Sequence, residues 1–414
     1  MTTNSSLQRR AKFYAKIIGL LFARQELSGG TLAQVSRGAR HLSLGIRLAN
    51  PVELDKALKL SEAVALSANS QAVLAQRQAG LVVYQFQLAP AFWQSYTRSD
   101  LPYSQAVGLA ERRQPVKFGF EQPHALIAGS TESGKSETAK SILLSLMTTY
   151  APDELRVILI DLHGDYLDFA NEVHLTLPIA STQEEIETAL MFAHNALVHR
   201  KTNNIKDDYI LFLAIDEADK ALCTDERIEI AKALTQEGRK FRIHVLIGTH
   251  KPSHKDLPNI LDNLNNRFVG LVSDAKVSAN LTGHAGLQAH KLTGKGDFIH
   301  VQGINIQRFQ VAMATRQDFE SLERTEIKPV EVDSMDLLEL PSQLPERSPG
   351  RPQLELNPEW LAYYFYHNPH KISRSMAKEL GLTRPFHELH RSFCKDFIKA
   401  FLKLREKNGN VIGA

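Results

Sequence analysis

The chain has 414 residues but only two cysteines, Cys223 and Cys394. They lie far apart, with no CxxC and no His/Cys cluster nearby. A disulfide framework is excluded and a structural zinc has no ligand set. Long apolar runs are missing as well. The longest are strand-length, such as Val157–Ile160 and Tyr209–Ile215, and Ile17–Phe22 is far too short to span a bilayer. Ser5–Arg10 is not followed by a long apolar region and a cleavage site, so no secretory leader is expected. These absences predict a soluble, cytoplasmic protein without a membrane partner. Internal repeats and low-complexity tracts are also absent.

What is present is a normal globular composition, 43% hydrophobic, with room for two or three domains. Net charge is +3 but unevenly placed. Residues 351–414 carry a net of +5 and the remainder −2. A basic end on a near-neutral body suits a polyanion contact, although charge alone reads equally as a solvated helix face.

Patterning divides the chain. Residues 1–37 form a largely helical amino-terminal segment. Leu42, Leu44, Ile46 and Leu48 alternate, as do Val82, Tyr84, Phe86 and Leu88, which predicts two half-buried strands. Asn50-Pro51 opens a helix between them, running to about residue 68. Residues 38–115 therefore read as a small α+β subdomain. From 116 to 322, short apolar strands at 125–128, 156–161, 209–216, 243–249 and 267–272 alternate with helical stretches. That predicts an α/β fold with a doubly wound, mostly parallel sheet. Residues 323–357 carry five prolines and read as a linker. Residues 358–414 read as helical, with helix-turn-helix spacing between Ser373 and about Lys407.

Gly129-Ser130-Thr131-Glu132-Ser133-Gly134-Lys135-Ser136 fits G-x-x-x-x-G-K-[ST] in full, with a strand before it and the amphipathic run Ala139–Met147 after it. The glycines let successive backbone N–H groups curl toward phosphates, and the following helix adds the positive end of its dipole. Residues 129–137, from Gly129 through Glu137, are thus the expected ATP-binding loop of a RecA-like P-loop fold. Lys135 is expected on the β- and γ-phosphates and Ser136 on Mg²⁺. Leu211–Ile215 ends in Asp216-Glu217, where a carboxylate faces the ligand crevice. Asp216 is the expected second Mg²⁺ ligand, through water. Glu217 is the expected base for the attacking water, a role that favours hydrolysis over nucleotide storage.

In order and spacing, several runs resemble the FtsK/SpoIIIE DNA translocases of the FtsK–HerA superfamily. The resemblance covers residues 38 to 322. Its pieces are His124–Gly129 with Ser133–Ser136, Arg156–Asp161, Ile215–Asp219, Arg242–Pro252, Asn266–Phe268 with Val272-Ser273, and Leu292–Phe298. Gly38–Leu48 with the helix after it is similar to the family's α-subdomain. The resemblance implies an ATPase working as a hexameric ring with double-stranded DNA through the centre. It implies an arginine reaching the neighbouring subunit's γ-phosphate, best matched by Arg267 and next by Arg239. It also implies a γ-phosphate sensor at Thr249 and His250. The family has Gln where this chain has His250. After the second strand, Asp161-Leu162-His163-Gly164-Asp165-Tyr166 is closer to the HerA-like branch. His163, Asp161 and Asp165 are expected to be incidental polar residues of a loop near the nucleotide, in preference to a metal cluster. The membrane segments of the cell-division members have no counterpart.

In the last helix Arg391, Lys395, Lys399 and Lys403 recur about once per turn, a stripe expected on DNA phosphates. The function expected is ATP-dependent translocation on double-stranded DNA. A conjugative coupling or HerA-like processing motor, and an ATP-switched DNA-binding regulator, are the alternatives.

Overall fold

The computed structural model describes residues 2–121, 124–250 and 260–324, the side chains from residue 7 onward. All but the first two residues of the expected linker 323–357, and the expected helix-turn-helix region 358–414 with its basic stripe Arg391, Lys395, Lys399 and Lys403, lie outside the described residues. Helix α1 (Thr2–Arg24) buries Tyr14, Ile18 and Phe22 on one side. Tyr14 stacks on Phe86 with ring centroids 4.0 Å apart. That face covers an antiparallel sheet of β1 (Gly30–Arg37) and β2 (His41–Leu48), then β3 (Val73–Gln78) and β4 (Leu81–Gln87), in the order β1-β2-β4-β3. Alternation places Leu42, Leu44, Ile46, Val82, Tyr84 and Phe86 in one core with α1.

Strand β1 falls in a segment expected to be helical. It is an edge strand, mostly exposed, so it lacks the alternation that marked its neighbours. The expected single helix from residue 50 is three pieces. Asn50 Oδ1 caps a 3₁₀ turn, Pro51–Glu53, by accepting from the Val52 N–H at 3.2 Å. Helices α2 (Leu54–Lys59) and α3 (Ser61–Ser67) follow, separated at Leu60.

The chain then enters a ten-stranded sheet. Short strands β5 (Tyr96–Thr97), β6 (Ala106–Ala110) and β7 (Pro115–Lys117) join its antiparallel side, so hydrogen bonding passes to the larger sheet before residue 115. Next come β8 (His124–Ala128), α4 (Lys135–Met147), β9 (Leu155–Ile160), α5 (Gln183–Thr202) and β10 (Ile210–Ile215). They are followed by α6 (Ala218–Ala221), α7 (Asp225–Glu237), β11 (Ile243–Thr249), β12 (Asn266–Val269) and α8 (Ala275–Thr282). The last elements are β13 (Asp297–Gln302), β14 (Asn305–Met313) and α9 (Arg316–Glu320). Strand order is β7-β6-β14-β13-β12-β8-β11-β10-β9, with β5 as the tenth strand paired to β14 off this path, and β12, β8, β11, β10 and β9 are mutually parallel.

All six residues of β10 are buried. Leu211, Leu213 and Ile215 pack on α5 and α7, while Phe212 and Ala214 pack on the α4 side. A strand covered on both faces reads as a continuous apolar run, as its sequence does.

A polar seam joins the two sheets. Arg40 donates to the Gly294 and Lys295 carbonyls at 2.9 and 2.6 Å, and its guanidinium lies 4.6 Å from the Trp93 ring centre. Asp297 takes two bonds from Arg308, at 2.9 and 2.8 Å, with both groups buried. Burial pushes the Asp297 carboxyl up, but Arg308 more than offsets it and the pKa falls to about 2. A depressed acid adds stability above its ordinary value of 3.8, and that stability is lost as pH falls toward 2. Asp297→Ala should therefore cost about 3–5 kcal/mol at neutral pH, because Arg308 stays buried without its partner. Urea midpoints at pH 7 and pH 3 check this, and the gap between wild type and variant should narrow at the lower pH.

Candidate active site

The carboxyl ends of β8, β9, β10 and β11 meet at one edge of the parallel sheet, the side where such sheets place ligands. Each contributes a loop, and the expected phosphate, acidic and sensor residues converge there.

The loop after β8 is tightly wound. A Cβ on Gly129 would sit 2.5 Å from Ser133 Oγ, so that position is limited to glycine by space. Gly134 has φ +101° and a Cβ there would lie 2.6 Å from the Gly296 nitrogen. The Gly296 N–H donates to the Ser133 carbonyl at 2.7 Å, and Lys295 N–H to the Glu132 carbonyl at 2.9 Å. Ser130 N–H and Oγ both donate to the Leu271 carbonyl, at 2.7 and 2.9 Å. Thr131 and Glu132 are exposed at the tip. Lys135, Ser136 and Glu137 open α4, and helix geometry leaves first-turn N–H groups without a carbonyl four residues back. Ser133 Oγ and Thr249 Oγ1 are buried with no hydrogen-bond partner among the described residues, an uncommon state for hydroxyls and one suited to an incoming polar ligand.

Lys135 Nζ donates to the Gly129 carbonyl at 3.1 Å and to His250 Nδ1 at 2.8 Å. Burial lowers its pKa, while Asp216, Glu217, Asp219 and Asp165 raise it. His250 Nε2 donates to Glu217 Oε1 at 2.9 Å. The other oxygen, Oε2, accepts from Lys220 Nζ at 2.6 Å and lies 2.8 Å from His163 Nε2. Burial pushes the Glu217 carboxyl up, but bonds from Lys220, His163 and His250 outweigh it, leaving the pKa at about 2. Asp216 accepts one bond, from the Tyr166 hydroxyl at 3.1 Å. Burial and the charges of Asp165, Asp161 and Glu217 raise it to about 6, against that bond. Ser136 Oγ donates to Asp165 Oδ2 at 2.5 Å.

Asp161 has a different task. It accepts the N–H groups of His163, Gly164 and Tyr166 at 3.1, 2.9 and 2.6 Å, which folds the loop after β9. Among the described residues no group of three or more His, Cys, Asp or Glu could hold a metal ion by itself. The hydroxyl of Ser136 and the carboxylates of Asp165 and Asp216 nevertheless form a hard-oxygen edge fitting Mg²⁺. That ion typically takes one or two protein ligands and completes its shell with phosphate and water.

The structure does not bring Arg267 to this site. Its guanidinium donates to the carbonyls of Leu264, Leu261 and Leu281 at 2.7, 3.0 and 3.1 Å. Within the single chain these donors clamp the turns on either side of β12. Arg239 is exposed. Pattern reading also missed the partners of the acidic pair: His163, Lys220 and Tyr166 have no motif of their own. The i, i+3 spacing of Glu217 and Lys220 was the available signal.

A phosphate loop between β8 and α4, an acidic pair after β10, and five parallel strands around them define a P-loop ATPase, an enzyme class that binds ATP. The FtsK/SpoIIIE family model matches residues 88–277 of this chain. DNA translocase FtsK of Staphylococcus aureus is 30% identical over 210 residues, 44% of this chain and 26% of the relative. DNA translocase SftA of Bacillus subtilis is 29% identical over 233 residues, 50% of this chain and 24% of that one. The chain thus spans about a quarter of the length of these relatives. Among solved structures, the pCW3 conjugation coupling protein TcpA with ATPγS aligns with TM-score 0.47 at 17% identity, covering 72% of this chain and 95% of that one. EccC of Thermomonospora curvata (ATPases 2 and 3) aligns with TM-score 0.48 at 19% identity, covering 55% and 45%. No described helix is long and apolar enough to cross a membrane.

Asp216 supplies a stability test. Its folded pKa of about 6 exceeds the ordinary 3.8, so the fold favours the protonated acid. The penalty grows as pH rises through that window and is complete above it. Asp216→Asn should stabilise the nucleotide-free protein by about 2 kcal/mol at pH 8, and by little at pH 4. Urea unfolding in EDTA at both values measures this.

Proposed function

We propose that the chain is an ATP-driven translocase acting on double-stranded DNA. The observation that carries this reading is the convergence of Lys135, Ser136, Asp216 and Glu217 at one sheet edge, within a domain whose relatives bear the name DNA translocase. Residues 129–137 bind the phosphates, with Lys135 on the β- and γ-phosphates in place of its present contacts. Ser136 and Asp216 would hold Mg²⁺, which supplies charge neutralisation on the phosphates. Glu217 accepts a proton from the attacking water. For that, one of its oxygens must be released from the grip of His250, Lys220 and His163. Thr249 and His250 are the proposed phosphate sensors. A hexameric ring would place each site at a subunit boundary, with Arg267, and next the exposed Arg239, proposed as the arginine reaching across it.

The proposed working parts are the small subdomain at 38–115, the motor at 116–322 and the carboxy-terminal region at 358–414. The stripe of Arg391, Lys395, Lys399 and Lys403 is proposed to lie on duplex phosphates. Contacts of that kind make movement independent of sequence.

Triplex displacement from linear duplex DNA in the presence of ATP tests the reading. Wild type should displace the third strand. Lys135→Ala and Glu217→Gln should each lower turnover by at least about a hundredfold, in line with loss of an essential charge or base, and abolish displacement. DNA-stimulated hydrolysis without displacement would overturn transport and favour an ATP-dependent switch.

A further inference from the structure

Helix α1 carries five cations, Arg9, Arg10, Lys12, Lys16 and Arg24, and no carboxylate. Between it and the basic end at 351–414, residues 25–350 carry a net charge of −7. The helix is thus a block of positive charge on an acidic body.

The helical period puts Tyr14, Ile18 and Phe22 on one side of α1, buried against the antiparallel sheet. The same period gathers Arg9, Lys12, Lys16 and Arg24 on the opposite side, where all four are exposed. Phe13 and Leu20 lie in that same stripe, 55% and 56% exposed. Arg10 stands apart from it, with its guanidinium 4.8 Å from the Phe92 ring centre. Among the described residues none of the four exposed cations has an ion pair. Like charges four residues apart, as at Lys12 and Lys16, oppose helix formation, and no carboxylate on α1 offsets them.

The chemistry of the stripe selects its partner. A second copy of α1 would set like charge against like. An in-plane membrane helix needs a broad apolar face, and α1 has committed its own to the sheet. What remains is a row of cations about 22 Å long, at about 1.5 Å per residue from Arg9 to Arg24. Duplex DNA carries one phosphate charge per about 1.7 Å of axis, so it can face such a row along its whole length. Phe13 and Leu20 fit the apolar faces of deoxyribose between phosphates.

We propose that the exposed face of α1 binds the phosphate backbone of duplex DNA through Arg9, Lys12, Lys16 and Arg24. The inference rests on the reading of the chain as acting on duplex DNA, and adds a contact surface on the amino-terminal helix. The contacts go to phosphate, so the surface holds any sequence alike.

Fluorescence anisotropy of the full chain on a labelled duplex, titrated at several salt concentrations, tests this. Each phosphate contact contributes about 0.9 to the slope of log affinity against log salt. Lys12→Gln combined with Lys16→Gln should therefore flatten the slope by about 1.8 and weaken binding by at least about tenfold at 0.1 M salt. Both side chains are exposed and remote from the ATPase residues, so melting temperature and DNA-free ATP turnover should not change. An unchanged slope would overturn the α1 surface and leave the translocase reading standing. Wild type that binds no duplex even at low salt would overturn both. Sedimentation with phosphatidylserine-containing vesicles is the counter-test. Vesicle binding lost in the double variant, with duplex binding unaltered, would assign the stripe to a membrane and overturn the proposal.

Discussion

Four carboxylates, those of Asp161, Asp165, Asp216 and Glu217, crowd onto one edge of a buried parallel sheet, and most of the local structure answers that concentration of negative charge. Lys135 is drawn in despite burial. Tyr166 gives its hydroxyl to Asp216, and Ser136 its hydroxyl to Asp165. Asp161 is neutralised in effect by three backbone N–H groups. Glu217 collects three cationic or imidazole donors. Asp216 is the least compensated and is left with a raised pKa. An edge so far from its own lowest energy is typical of a site arranged for a charged visitor.

Much of this was legible in the sequence because it rests on local chemistry. The phosphate loop is contiguous, the glycines at 129 and 134 are imposed by close contacts, and β8 to β11 announce themselves as apolar runs that end in polar or glycine residues. The acidic pair followed from the same logic. What was not legible depends on distant pairing. Strand β1 hides because it lies at the sheet edge with most of its side chains exposed, so no apolar alternation marks it. The helix expected after Asn50 breaks at Leu60 without a proline or glycine to mark it. That carbonyls surround the Arg267 guanidinium is not written in its residue type. His163 sits in a loop that seemed incidental until β9 and β10 brought it 2.8 Å from Glu217.

The small antiparallel sheet is tied to the phosphate loop through few bonds. The turn at 293–296 receives Arg40 from one side and gives its N–H groups to Glu132 and Ser133 on the other. Buried ion pairing at Asp297 and Arg308 stiffens the strand that follows. A displacement of the loop that binds phosphate must therefore either carry this turn with it or break its hydrogen bonds.

The contact of His250 with both Lys135 and Glu217 has a consequence for chemical direction. An ammonium can only donate, so Nδ1 must accept, and the proton must sit on Nε2, where it points at the carboxylate. The imidazole then serves as a polar link with an accepting end and a donating end. A glutamine amide offers the same pair of ends, its oxygen toward the lysine and its nitrogen toward the acid. The histidine thus preserves the polarity of the link while changing the residue. A side chain that only donates, or only accepts, would reverse one end and break the chain between Lys135 and Glu217.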